Sequence, residues 1–228
     1  MNSERFLEAL DALVAEKHLL KHPFYVLWNQ GRLTRDNVRE YAISYYPHVA
    51  AFPRYVSAVH SGCADAAVRQ DLLENLIEEE RGDANHPALW RRFAQALGAE
   101  PGSLAPEPRT PEVEALVARF LETTRTGSVA EGLAALYAYE SQIPEIAKTK
   151  REGLAAFYGV TDPEAVRFFT VHEAADVWHR QVERETLGRI LEGASSEELS
   201  RALAAAETCL DALNAALDGV MRENRLAA

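Results

Sequence analysis

The residues of this chain best suited to chemistry lie in one short stretch, His172-Glu173-Ala174-Ala175-Asp176-Val177-Trp178-His179. Two imidazoles and a carboxylate stand at i, i+4 and i+7. At about 100° per residue, Asp176 falls roughly 40° to one side of His172 and His179 roughly 20° to the other, so a helix would aim all three in one direction. Imidazole and carboxylate together suit iron, manganese or zinc. On this stretch alone the alternative is a solvated helix face that carries two histidines. A metal site therefore needs further ligands from elsewhere in the chain.

The surrounding pattern predicts the helix. Asp162 can cap it and Pro163 fits its first position. Val166, Phe169, Val182, Leu187 and Ile190 then recur at helical spacing. Almost every other segment also reads as helix. Helices are expected at about 3–17 and, after His22-Pro23, over the aromatic run Phe24, Tyr25, Leu27 and Trp28, which Gly31 should end. The next, from a Thr34 cap to about His60, contains Pro47 and Pro53, which predict kinks or a break. Further helices are expected at about 64–83, 87–97 and from Thr110-Pro111. A long one from the Ser128/Glu131 capping box runs to about Phe157, interrupted at Pro144, and a last one opens at Ser195/Glu198. The stretch Gly98–Arg109 is the clearest loop. With no strand pattern or repeat, the class is all-α, one domain over residues 1–228, a bundle of about seven to nine helices.

Helical bundles build metal sites from polar groups on stripes that otherwise face the core. Glu79 follows Val68, Leu72 and Leu76 on such a stripe, in phase with Asp83 and His86, whereas Glu78 and Glu80 are out of phase. Glu140 continues Leu133 and Leu136. An ionised, unpaired carboxylate in either place would cost several kcal/mol, and a cation would remove that cost. Glu79, His86, Glu140, His172, Asp176 and His179 would suffice for two divalent ions with positions left open for dioxygen. The ferritin-type Glu-x-x-His pair does not occur, but Asp-x-x-His occurs twice, as Asp83/His86 and Asp176/His179, which leaves Asp83 a rival to Glu79.

Composition narrows the function classes. The 228 residues include 24 Lys and Arg against 35 Asp and Glu, a net charge of -11 that repels phosphate backbones and argues against nucleic acid as a partner. Cys63 and Cys209 form no CxxC and read as buried thiols of a reduced compartment. The N-terminus lacks a signal peptide's basic and apolar regions, and no apolar run approaches the roughly 20 residues that span a bilayer. The expectation is a cytoplasmic protein with no membrane association.

Taken in order, Glu79, His86, Tyr139-Glu140 and His172-x3-Asp176-x2-His179 resemble the haem-oxygenase-like diiron oxidases, and most closely the CADD (Chlamydia protein associating with death domains) family, related in fold to PqqC and TenA proteins. The resemblance spans nearly the whole chain. It implies a seven-helix bundle, usually a homodimer, with two non-haem metal ions (Fe/Fe or Mn/Fe), dioxygen as co-substrate, an external reductant and no haem. It further implies synthesis of p-aminobenzoate for folate, with Tyr25 matching a tyrosine sacrificed as the carbon skeleton, Lys150 a lysine that donates nitrogen, and Tyr139 a second redox-active aromatic. On the residues alone, Tyr25 reads as a core aromatic and Lys150 as a solvated lysine near Lys148 and Arg151. His22, His48, His60 and Arg54 are read as structural or as lining. Relatives with the same ligands decarboxylate fatty acids or oxidise amino-acid nitrogen. PqqC-like proteins lack the ligand set and act without metal. A separate small substrate, PqqC-like cofactor-free oxidation and a partner-binding helical surface therefore stand as rival readings.

Overall fold

The computed structural model describes residues 2–226, and the side chains of all of these except 174–179. Its elements are α1 (Ser3–Glu16), α2 (Pro23–Asn29), α3 (Arg35–Gly62), α4 (Ala66–Glu80), α5 (His86–Ala96), α6 (Pro111–Thr126), α7 (Val129–Glu140), α8 (Ile143–Phe157), α9 (Pro163–Ile190) and α10 (Ser196–Glu223), with single 3-10 turns at Leu19–Lys21 and Pro101–Ser103. No strand occurs among the described residues.

Local chemistry sets these boundaries. The Asp162 side chain accepts from the Glu164 amide at the start of α9, and Pro163 occupies its first turn. Capping boxes open α3 (Thr34/Asn37), α7 (Ser128/Glu131) and α10 (Ser195/Glu198). The helix count exceeds the seven to nine expected because residues 128–157 form two helices. Pro144 falls in the first turn of α8, so α7 ends at Glu140, to whose carbonyl a proline, lacking an N–H, cannot donate. Gln142 fills the break. Its amide donates to the Ala138 carbonyl at 2.7 Å and its side-chain oxygen accepts from the Leu19 amide at 2.8 Å. The break expected at Pro47 or Pro53 does not occur, since α3 runs through both.

Helix α10 packs mainly on α6 and α7, α3 on α6, and α9 on α8 and α5. Aromatic side chains fill the space that these helices enclose. Trp28, Tyr41, Tyr55, Trp90, Phe93, Phe120 and Phe169 are fully buried. Gly153 allows α8 to approach the Trp28 indole so closely that a β-carbon there would overlap the ring. Trp28 is enclosed by Phe24, Tyr41 and Tyr158 and has no room to retreat. Gly153→Ala gains helix propensity of up to about 1 kcal/mol but overpacks the core by about 1–3 kcal/mol. Thermal unfolding should show a net fall in Tm, and an unchanged or higher Tm would refute this close approach.

Candidate metal centre

Helix α4 presents Val68, Leu72, Asn75 and Glu79 to the interior at helical spacing, while Glu78 and Glu80 face solvent as their phase requires. The helix stops at Glu80, one turn before the stripe would reach Asp83. Gly82 takes a left-handed conformation (φ 75°) that reverses the chain. Asp83 is thereby exposed, which removes it as the rival to Glu79. The reversal also returns His86 to the interior at the first position of α5, behind an Asn85 cap.

His86 Nδ1 lies 2.8 Å from Glu79 Oε1. Its ring sits 4.2 Å from that of His172, centroid to centroid, and Phe168 covers His172 at the same separation. The His172 Nδ1–H donates to the Phe168 carbonyl at 2.6 Å. A carbonyl can only accept, so this bond fixes the tautomer and assigns Nε2 as the electron-pair donor. Donor atoms of Glu79, His86 and His172 lie within 4.8 Å of one another, and all three residues are buried.

Glu140, the last residue of α7, is also buried but stands outside that 4.8 Å group. Its Oε1 accepts from Asn75 Nδ2 at 2.9 Å, and its Oε2 is buried without a hydrogen-bond partner among the described residues. Asn75 thus links Glu140 to the helix that carries Glu79. The side chains of Asp176 and His179 lie outside the described residues. The donor set fits a divalent metal. Two imidazoles and a carboxylate converge, and a second buried carboxylate has an oxygen with no hydrogen-bond partner among the described residues, which a cation would satisfy.

Two of the three residues implied by the resemblance as reactive, Lys150 and Tyr25, lie in an aromatic enclosure that reaches His172 through Trp90 and Phe168. Lys150 is buried, not solvated. It shares a stripe of α8 with Ile143, Ile146, Ala147 and Leu154, and that spacing is the sequence signal for its inward position. Its Nζ donates to the Tyr41 hydroxyl at 2.6 Å and stands 5.6 Å from the centre of the Tyr25 ring. The rings of Tyr45, Trp90 and Phe169 complete the enclosure, all within 5.9 Å of Nζ. Burial pulls the amine down to about 7, so its neutral, nucleophilic form is accessible near neutrality. Burial pushes the Tyr25 hydroxyl well above its ordinary value, partly offset by a hydrogen bond with Tyr41.

Tyr139 is half-buried, packed 5.0 Å from His48 and 5.1 Å from Phe52. It interacts with Tyr45, which stacks on Tyr41 at 5.5 Å. Phenols therefore run from the neighbour of Glu140 through Tyr45 and Tyr41 to Tyr25. Tyr41 and Tyr45 were missed as site residues because an aromatic-rich helix reads as core. His48 is fully buried and held neutral, its imidazole pulled down to about 3 by desolvation. His22 caps α2 by accepting from the Phe24 amide. His60 and Arg54 lie at the surface of α3. Both cysteines are buried free thiols.

Three comparisons bear on this geometry. The sequence profile of the iron-containing redox enzymes, of haem-oxygenase type, matches residues 39–214. The 4-aminobenzoate synthase of Nitrosomonas europaea is 43% identical over 229 residues, covering 96% of this chain and 92% of that protein. The 4-aminobenzoate synthase of Chlamydia muridarum is 41% identical over 219 residues, covering 96% and 91%. Among solved structures, a TenA homologue from Pseudomonas syringae superposes with a TM-score of 0.82 at 18% identity, over 96% of this chain and 92% of that one, a likeness of fold.

The buried amine has a pH signature. Lys150 binds its proton more weakly folded, at about 7, than unfolded, at 10.5, so wild-type stability rises as pH climbs through that interval and carries the full penalty below it. Lys150→Met removes the titrating group. The Tm difference, variant minus wild type, should be more positive at pH 6 than at pH 9. A difference independent of pH would show that the amine is hydrated.

Proposed function

The chain belongs to the iron-containing redox enzymes of haem-oxygenase-like fold, and from that membership we propose that it synthesises 4-aminobenzoate at a two-metal centre, using dioxygen and consuming its own Tyr25. The observation that carries the proposal is the position of the Lys150 amine, 5.6 Å from the Tyr25 ring in an aromatic enclosure that connects through Trp90 and Phe168 to His172 of the buried metal-type donors. The named activity of the two relatives supports the product.

Glu79, His86 and His172 would hold one ion, with Glu140, Asp176 and His179 completing a pair. When bound, two iron ions, or manganese with iron, supply the binding and reduction of dioxygen. The chain's own residues do the rest. The chamber excludes water from the Tyr25 ring, and Phe24 packs edge-on against that ring at 5.4 Å, fixing its plane. Tyr41 holds the Lys150 nitrogen in place while leaving its lone pair available when neutral. Tyr139, Tyr45 and Tyr41 offer a path of phenols by which an electron can leave Tyr25 toward the metal donors. The ring and Cβ of Tyr25 would supply the seven carbons, the Cα–Cβ bond breaking and Cβ being oxidised to the carboxylate by dioxygen. The Lys150 nitrogen, released from its Cε, would replace the phenol oxygen, so each chain acts once, with a reductant supplied from outside.

Anaerobic protein loaded with iron, then exposed to oxygen and reductant, is the direct test. Intact mass and peptide mapping should show loss at the side chain of Tyr25 and loss of the ε-nitrogen from Lys150, with no more than one 4-aminobenzoate per chain. Tyr25→Phe should abolish product while metal content stays at the wild-type level. Several products per chain, or product from Tyr25→Phe, would replace self-consumption with oxidation of a separate small substrate.

A further inference from the structure

We propose that Asn75 is a positioning residue of the metal centre, holding Glu140 so that one carboxylate oxygen is committed to an amide and the other is presented to the second ion. This rests on the two-metal reading above. Asn75 lies four residues before Glu79 on α4, so the two side chains leave the same helix face about 40° apart. It is buried, and its only charged hydrogen-bond partner among the described residues is Glu140, through the 2.9 Å contact of Nδ2 with Oε1. Glu140 ends its helix, where a long side chain has rotational freedom that packing on α7 alone does not remove. The amide removes that freedom. It occupies Oε1 and leaves Oε2, the buried oxygen with no hydrogen-bond partner among the described residues, as the atom to meet a cation. One helix thereby contributes a ligand, Glu79, and aims another, Glu140.

The far side of Asn75 lines a cavity of about 20 Å³, shared with Val68, Leu72, Leu133 and Glu183, enough for about one water. Glu140 does not line that space, and Asn75 touches both. Truncation to alanine would admit a water that could replace the amide as donor. The informative substitution is therefore Asn75→Leu, which keeps the bulk and removes the donor.

The test is anaerobic calorimetric titration with Co²⁺, with the melting temperature of the metal-free protein measured alongside. Wild type should take up two ions per chain. Asn75→Leu should bind the first ion with affinity within about twofold of wild type and the second 10- to 100-fold more weakly, the usual cost of losing an outer-shell partner. An amide that only satisfies a buried carboxylate would lower the metal-free melting temperature and leave both affinities unchanged, and that result overturns the assignment while the two-metal reading stands. Equal weakening of both ions also overturns it. Should Asn75→Leu fail to fold, Asn75→Val, likewise without a donor, is read by the same criteria. A wild-type protein that binds fewer than two ions ends the two-metal reading and the assignment of Asn75 together.

Discussion

Burial of carboxylates inside a helical bundle is the constraint on which the rest of this structure depends. Glu79 and Glu140 are 4% and 5% exposed. Moving such a group out of water costs several kcal/mol unless a charge or a set of donors replaces the solvent. Around Glu140 the described residues supply one amide and no lysine or arginine. Four helices, α4, α5, α7 and α9, place Glu79, His86, Glu140 and His172 in the interior, where a dication would offset the lost hydration. Those helices pack chiefly through aromatic and aliphatic side chains, which keeps water out and strengthens every electrostatic interaction within.

The same low polarity operates next door with opposite effect. At Lys150 it favours the neutral amine, and at Tyr25 the neutral phenol. A chamber that makes the neutral amine accessible near neutrality beside a phenol ring would suit carbon–nitrogen bond formation, and it has no evident structural purpose. An apolar residue at position 150 would fill the space without a desolvation penalty. Buried ionisable groups that cost stability without a compensating ion pair are candidates for function on that ground.

Much of this was legible in the sequence because helices announce themselves by period and cap. Asp162-Pro163 placed the start of α9, and the stripe through Val68 and Leu72 put Glu79 inside and Glu78 and Glu80 outside. Three features were not legible, each for a physical reason. Gly82 and Pro87 mark the last turn of the 64–83 stripe as unsound, but the reversal itself depends on one left-handed residue, so the stripe alone left Asp83 in phase with the interior. Pro144 announced an interruption within 128–157, but whether it bends one helix or separates two turns on how Gln142 bonds to Leu19 and Ala138, a tertiary matter. Asn75 carries no charge and follows no ligand spacing, so its contact with Glu140 emerges only when α4 and α7 are side by side. Lys150 is the intermediate case. Its neighbours Lys148 and Arg151 suggest a solvated face, but its phase with Ile143, Ile146 and Leu154 points inward.

The most direct measurement is a crystal structure of the protein loaded with Mn²⁺ under anaerobic conditions, with data collected at the manganese absorption edge to locate the ions by their anomalous signal. The expected result is two internal peaks a few ångström apart, one in contact with Glu79, His86 and His172 and the other with Glu140 Oε2. An interior without anomalous signal, or Glu140 remote from any ion, would contradict a centre in which dications offset the burial of these carboxylates.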